Sequence, residues 1–224
     1  MKCLITAGPT YEPVDRVRRL TNRSTGRLGV GLANYLAGRG HGVDLLLGEM
    51  SVFRAWIGAV RCHEFTTGSD LAAKLEAWAG KPVDAVFHAA AVSDFAVGLV
   101  GRWDGAGRWC GVKGEKIATQ GGAIWMELQP TPKVINRLKE WFPDAWRVGW
   151  KYEVDGDRQD VVAKAERQIR ESGVHACVGN GPAYGDGFAW VIGAGAHRHL
   201  NDAGALYKAL EEGMRRHCAG GTGG

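Results

Sequence analysis

Four short stretches of the chain combine residue types and spacings able to do chemistry. Asn22-Arg23-Ser24-Thr25-Gly26 stands immediately ahead of a helical pattern, where small polar residues and glycine leave backbone N–H groups free to face an anion. Ser24 and Thr25 read equally as plain helix N-caps, but capping has no need of Asn22 or Arg23. His88-Ala89-Ala90-Ala91-Val92-Ser93-Asp94 passes from an apolar run into tiny residues that let a ligand approach the backbone. Asp94, just past that run, could anchor a ribose or a base amine, or simply form a turn, and His88 alone reads as a packed strand residue. Lys113-Gly114-Glu115-Lys116 lies in a Gly-rich stretch; lysines there can neutralise charge building on a triphosphate, or stay a solvated surface. Gln129-Pro130-Thr131-Pro132-Lys133-Val134-Ile135 marks a helix start, with Thr131 as N-cap and Pro132 as first helical residue. Two common nucleotide motifs are missing. No GxxxxGK[ST] occurs, and TGRLGVG lacks the GxGxxG spacing and lies far beyond the first strand.

The elements that must hold these stretches alternate. Cys3-Leu4-Ile5, running on to Thr6-Ala7-Gly8-Pro9-Thr10, reads as a buried first strand that breaks into a loop. Leu28, Leu32 and Leu36 recur every four residues and predict a helix. Val43–Gly48, Val60–Phe65, Val83–Ala91, Ile124–Leu128, Val148–Lys151 and His175–Val178 read as strands. Leu71, Leu75 and Trp78 space as one helix face with Ser69 as cap. Val134, Leu138 and Trp141 define a second such face, and Val161, Ala165 and Ile169 a third that stops near Gly173. Phe188–Gly193 and His197–Leu200 suggest a closing hairpin, with Asp202 capping a last helix through Met214. This is an α/β pattern: a Rossmann-like, mostly parallel sheet with helices on both faces, whose ligands bind at the C-terminal strand ends. Residues 97–122 break the rhythm with eight glycines in 26 residues, and are expected to form a flexible Gly-rich lid loop or hairpin. One domain over residues 1–217 is expected, followed by a disordered Gly-rich tail, 218–224.

Composition bounds the partners. The 224 residues are 45% hydrophobic and 23% charged with a formal net charge of +4, a mild excess that suits anionic small molecules and not a nucleic-acid surface. Cys3, Cys62, Cys110, Cys177 and Cys218 are scattered without CxxC or Cys/His metal spacing; their odd number and the lack of a secretion signal point to a reducing cytoplasm, and no run is apolar enough to span a membrane. A short-chain-type NAD(P)-dependent oxidoreductase needs Tyr-x-x-x-Lys, and none of the five tyrosines has Lys four residues on.

ITAGPT, EPVD-x-VR and TNRSTGRLG in close succession resemble the opening of the phosphopantothenoylcysteine synthetase (phosphopantothenate–cysteine ligase) family, and the likeness runs from residue 2 to about residue 180. The alanine-rich strand end with V-S-D, the lysine motif at 113–116, Pro130-Thr131-Pro132-Lys133-Val134 and Val148-Gly149-Trp150-Lys151-Tyr152-Glu153 continue it. The resemblance implies a ligase of coenzyme A biosynthesis in its single-domain form, with a separate flavin-dependent decarboxylase acting in trans, and a homodimer. In the reaction it implies, the carboxylate of 4'-phosphopantothenate attacks the α-phosphorus of a nucleotide with Mg²⁺ present, and the amine of L-cysteine then attacks the acyl-nucleotidyl anhydride. CTP is favoured as that nucleotide by the bacterial-type ITAGPT and TNRSTG, and ATP, used by eukaryotic members, is the alternative. The resemblance carries catalysis to Asn22 and Lys113. Nucleotide binding falls to Gly8, His88, Ala89, Ala90, Asp94, Lys113, Lys116, Pro132, Lys133, Val134, Ile135 and Trp150. Acid-substrate binding falls to Asn22, Ser24, Gly26, Ala90 and Ala91. The chain departs from the pattern at Glu115 (a lysine in the family motif), Lys133 (an acid) and Trp150 (a Phe). Gln168 and Ser172 stand where bacterial members carry two lysines, with Arg167 and Arg170 as nearby substitutes. A catalytically silent nucleotide-binding relative is the alternative these departures leave open.

Overall fold

The apolar run at the N-terminus forms β1 (Lys2–Ala7), buried on both faces as an interior strand of a parallel sheet must be. The computed structural model describes residues 1–112, 114–120, 122–193 and 195–220. A hairpin of β2 (Tyr11–Pro13) and β3 (Arg19–Thr21) leads to α1 (Arg27–Gly38), β4 (Gly42–Gly48), β5 (Val60–Phe65), α2 (Gly68–Glu76) and β6 (Ala85–His88). Then follow β7 (Phe95–Trp103), β8 (Trp109–Gly111), β9 (Trp125–Pro130) and a 3-10 turn (Val134–Arg137) running into α3 (Leu138–Trp141). The chain closes with β10 (Trp146–Tyr152), α4 (Arg158–Ser172), β11 (Ala176–Asn180), β12 (Phe188–Val191), β13 (His197–Leu200) and α5 (Ala203–Gly220).

The main sheet has the order β13-β12-β11-β10-β6-β1-β4-β5. Its strands from β11 to β5 are parallel, and β12 and β13 close one edge as an antiparallel hairpin. Strand order reverses direction between β1 and β6, the place where α/β sheets open a crevice for ligands. Alternation along β1 sorts the core: Cys3, Ile5 and Ala7 pack with α1 and α5. Leu4 packs on the opposite face with Leu71 and Leu75 of α2 and Leu138 and Trp141 of α3. Val161 and Ala165 of α4 cover Cys177 and Ala189.

Several local expectations change. Gly26, at φ 77°, is the N-cap of α1 with no side-chain cap bond, so neither Ser24 nor Thr25 takes that place. Thr67 caps α2 in place of Ser69, its hydroxyl accepting from Asp70 N–H at 3.1 Å. The Thr131 hydroxyl donates to Ser93 O (2.9 Å), so it caps nothing, and the 3-10 turn begins two residues beyond Pro132. Of the two expectations for residues 97–122, the hairpin is found and the lid loop is not: β7 pairs antiparallel with both β8 and β9 in a separate sheet. Cross-strand pairing, which a glycine count does not disclose, decides the outcome there. The last helix runs on past Met214 to Gly220, so residues 218–220 of the expected tail are helical; 221–224 lie outside the described residues. Among the described residues no helix is long and apolar enough to cross a membrane.

Candidate active site

At the β1/β6 switch the two strands are stitched together beyond their regular pairing. Ala89 N–H donates to Thr6 O (3.0 Å), Ala91 N–H to Gly8 O (2.9 Å) and Thr10 N–H to Ala91 O (3.2 Å). The Thr6 hydroxyl accepts from Ala90 N–H (3.2 Å) and lies 2.9 Å from His88 Nδ1. Asn22, one residue past β3, donates its Nδ2 to Val92 O (3.1 Å) and Ala91 O (3.4 Å), which fixes the amide at the end of β6. Thr131 N–H donates to Asp94 O (2.9 Å), so the segment after β9 is tied to the loop after β6.

These ties surround a cleft of about 930 Å³. It collects Asn22, Ser24 and Gly26 ahead of α1, His88, Ala89, Ala90, Ala91 and Asp94 at the end of β6, Pro132, Lys133, Val134 and Ile135 after β9, and Trp150 of β10. Four segments far apart in sequence therefore meet at one cleft. Leu28 and Gly29 also line it, and first-turn N–H groups of a helix lack intrahelical acceptors, so α1 presents donors to an anion there. A second cavity of about 390 Å³ adjoins it, sharing Leu28, Tyr152 and Asn180.

Two expected residues do not line the cleft, and a third lies outside the described residues. Gly8 turns with φ 80° towards the β4–β5 connection, where an added Cβ would strike Ser51, so its role is close backbone packing. Lys116 is exposed and is not among the cleft's lining residues. Lys113 lies outside the described residues. Of the departures on α4, Gln168 faces the cleft, while Ser172 is buried and donates its hydroxyl to Gln168 O (2.6 Å). Arg167 and Arg170 are exposed and do not line the cleft, so they do not replace the family lysines.

Charge in the cleft is one-sided. Among the described residues Arg23, Arg27, Lys133 and Lys151 line it against a single carboxylate, Asp94, which Lys133 Nζ contacts at 2.6 Å. Such a lining favours polyanions. Burial alone pushes His88 down to about 4, so it is neutral at physiological pH and serves as a packed hydrogen-bonding residue. Among the described residues no group of three His, Cys, Asp or Glu side chains could hold a metal ion. The sequence reading missed Arg27, Lys151 and Asn180 as cleft residues. Asn180 ends a parallel strand, so the strand-end rule could have found it; Lys151 carried no local signal beyond its place next to Trp150.

The DNA/pantothenate metabolism flavoprotein C-terminal domain family matches residues 1–191. The coenzyme A biosynthesis bifunctional protein CoaBC of Thermococcus kodakarensis is 33% identical over 180 residues, which are 80% of this chain and 41% of that protein. The phosphopantothenate–cysteine ligase of Mus musculus is 28% identical over an aligned 230 residues, covering 78% of this chain and 70% of that one. The chain thus spans about two fifths of the bifunctional relatives it matches, 41% in the Thermococcus protein and 40% in that of Methanocaldococcus jannaschii. Among solved structures, the DNA/pantothenate metabolism flavoprotein from Streptococcus pneumoniae superposes with a TM-score of 0.82 at 22% identity, covering 96% of this chain and 99% of that chain. A Cab2 mutant in complex with phosphopantothenate-cysteine superposes with a TM-score of 0.75 at 19% identity, covering 99% and 88%. The structural likenesses establish the shared fold; the match over residues 1–191 establishes that the chain belongs to the DNA/pantothenate metabolism flavoprotein C-terminal domain family.

Proposed function

We propose that the chain is a phosphopantothenate–cysteine ligase of coenzyme A biosynthesis, joining 4'-phosphopantothenate to L-cysteine through an acyl-nucleotidyl intermediate. The observation that carries this reading is the convergence of Asn22, the His88–Ala91 strand end, Asp94 and the 132–135 segment on one cleft with four cationic side chains. In the first step a carboxylate oxygen forms a bond to the α-phosphorus of CTP or ATP, and the α–β phosphoanhydride breaks to release pyrophosphate. In the second the cysteine amine bonds to the acyl carbon, the acyl–phosphate bond breaks, the nucleoside monophosphate leaves and the amine loses a proton. Asn22 orients the acyl carbonyl without adding charge, and its own amide is fixed by the Ala91 and Val92 carbonyls. Lys113 stabilises charge during nucleotidyl transfer, with Lys116 as the second cation of the same span.

The cleft suits a nucleotide that brings its own Mg²⁺. Its one carboxylate is tied to Lys133, and Mg²⁺ in such sites is commonly held through substrate phosphates. The metal's contribution is to neutralise the triphosphate. The acid substrate borders Ser24, Gly26, Ala90 and Ala91, and the nucleotide lies between the β6 end and residues 132–135. The enzyme works as a homodimer, and its product is the substrate of a flavin-dependent decarboxylation.

Pyrophosphate release tests the reading directly. With 4'-phosphopantothenate and Mg²⁺, release is expected with CTP or ATP, and ligated product only when cysteine is added. Nucleotide binding without release would select the catalytically silent relative, for which Gln168 in the cleft is the supporting feature.

A further inference from the structure

The span carrying Lys113 and Lys116 is anchored on both sides. Upstream, Val112 N–H donates to Val100 O (2.8 Å). Downstream, Ile117 is 5% exposed and both its backbone polar groups are held. Its N–H donates to Asp15 Oδ2 (3.1 Å), and its carbonyl accepts from Nη1 and Nη2 of Arg18 (3.1 Å each). The Asp15 side chain is 1% exposed. Besides Ile117, its carboxylate accepts from the N–H groups of Val17 (2.8 Å) and Arg18 (2.7 Å) and from Arg18 Nη1 (2.7 Å). Arg16 N–H donates to Glu115 O (2.9 Å), and its guanidinium pairs with the Glu115 carboxylate at 2.6 Å. The turn between β2 and β3 thus grips a segment 102 residues further along. Arg102 holds the chain next, through Gln120 O (2.7 Å) and Ala118 O (3.4 Å).

We propose that Asp15 is a positioning residue: it anchors Ile117, and with it Lys116 of the lysine motif, to the same hairpin that delivers Asn22 to the cleft. This rests on the ligase reading, in which those lysines meet the triphosphate. A charged carboxylate satisfies four converging donors at once, which an amide cannot do, because its NH₂ would face a donor. Lys116 stands between Glu115, held by Arg16, and Ile117, held by Asp15 and Arg18; losing the Ile117 anchor frees the chain after Glu115 as far as the carbonyls that Arg102 holds. The Ile117 N–H, followed by those of Arg18 and Val17, holds the carboxyl down to about 2, so the anchor is charged across any practical assay range.

The test compares Asp15→Asn and Arg18→Met with wild type and with Asp104→Ala. Asp104 accepts from Ala106 and Arg108 N–H groups in the turn between β7 and β8, so it controls for loss of a turn carboxylate away from the anchor. Arg18→Met removes the bonds to Ile117 O while leaving Asp15 its backbone donors, which covers the case of Asp15→Asn failing to fold. Hydrogen exchange of the 115–117 peptide is expected to quicken about tenfold in both anchor variants and not in the control. Pyrophosphate release should fall on the order of tenfold to a hundredfold in kcat with KM for the acid little changed. Unchanged exchange overturns the anchor, and quickened exchange with wild-type kcat overturns its catalytic role. A wild-type chain that releases no pyrophosphate overturns the ligase reading and the catalytic half of the proposal, and exchange alone then decides the anchoring half.

Discussion

At the scale of single residues, the Asp94–Lys133 pair joins the loop after β6 to the segment after β9 at 2.6 Å. Both side chains are more than half exposed, so the pair adds at most about 1 kcal/mol to stability. Its consequence lies in what it presents to a base: a carboxylate accepts from an exocyclic amine, and an ammonium donates to the ring nitrogen beside it. Cytosine and adenine both offer that pattern, whereas uracil and guanine carry a carbonyl next to a protonated nitrogen. We expect CTP and ATP both to support pyrophosphate release, at least about tenfold better than UTP or GTP. Asp94→Asn, whose amide can turn its NH₂ towards a carbonyl, should narrow that gap; UTP working as well as CTP in the wild type would sink the idea. A second prediction concerns pH. Burial holds His88 and His175 at about 4, with Arg147 and then His217 adding to the depression at His175. Unfolded histidine titrates near 6.5, so between those values the unfolded chain binds more protons than the folded one. Stability is therefore lost as pH falls from about 6.5 towards 4 and is flat with respect to these groups above that window. Thermal midpoints measured from pH 8 to 4.5 should show the decline beginning near 6.5, less steeply in His175→Gln; a midpoint constant down to pH 5 would contradict it.

At the scale of elements, the start of α1 lies against the end of β1 because Gly29 has no side chain. A Cβ there would collide with that of Ala7, and Ala7 Cα and Thr6 O lie only 3.3 and 3.4 Å from its position. Gly29→Ala should push the helix N-terminus from the cleft, with a destabilisation of about 1–3 kcal/mol and a loss of pyrophosphate release. Gly38, at the other end of the helix, has nothing within 4 Å of an added Cβ, so Gly38→Ala should be neutral or stabilising by up to about 1 kcal/mol. Calorimetry on the two variants separates packing from helix propensity; equal midpoints would show that the close approach carries no weight. The same helix shows what was legible in the sequence. Leu32 and Leu36 are buried as their spacing required, and the apolar runs of β1, β4, β6, β10 and β11 became parallel strands, since burial on both faces leaves an uninterrupted hydrophobic signature. Caps were less legible, because Thr67 and Ser69 are equally good cap residues and only the backbone's entry decides between them. The cleft residues at strand ends followed from topology. Lys151 and Arg27 did not, because which cation reaches a cleft depends on strand register and helix phase together.

At the scale of the whole molecule, the three-stranded sheet of β8, β7 and β9 is left with apolar side chains on both faces. Cross-strand partners share a face, so Phe95, Val97, Val100, Met126 and Leu128 lie on one side and Trp103, Trp109 and Trp125 on the other. Trp125 is 60% exposed and Leu128 45%, and every residue of β9 is exposed. A contiguous apolar surface of this kind marks an association site. A second copy of the chain is the occupant we propose, because a two-fold arrangement sets the same apolar strands against themselves and covers both partners at once. Light scattering of the wild type should therefore give twice the chain mass at micromolar concentration. Leu128→Glu and Trp125→Glu place a charge on opposite faces, and the variant on the face the partner covers should shift the chain towards monomer while the main sheet, which neither residue supports, keeps its far-UV signature. The arm also leads into the lysine span, since β8 ends at Gly111 and Val112 continues its pairing to Val100. Loss of the dimer should for that reason lower pyrophosphate release as well as mass. A wild-type monomer would leave the arm's apolar faces to another partner, and monomeric variants with full activity would separate assembly from catalysis.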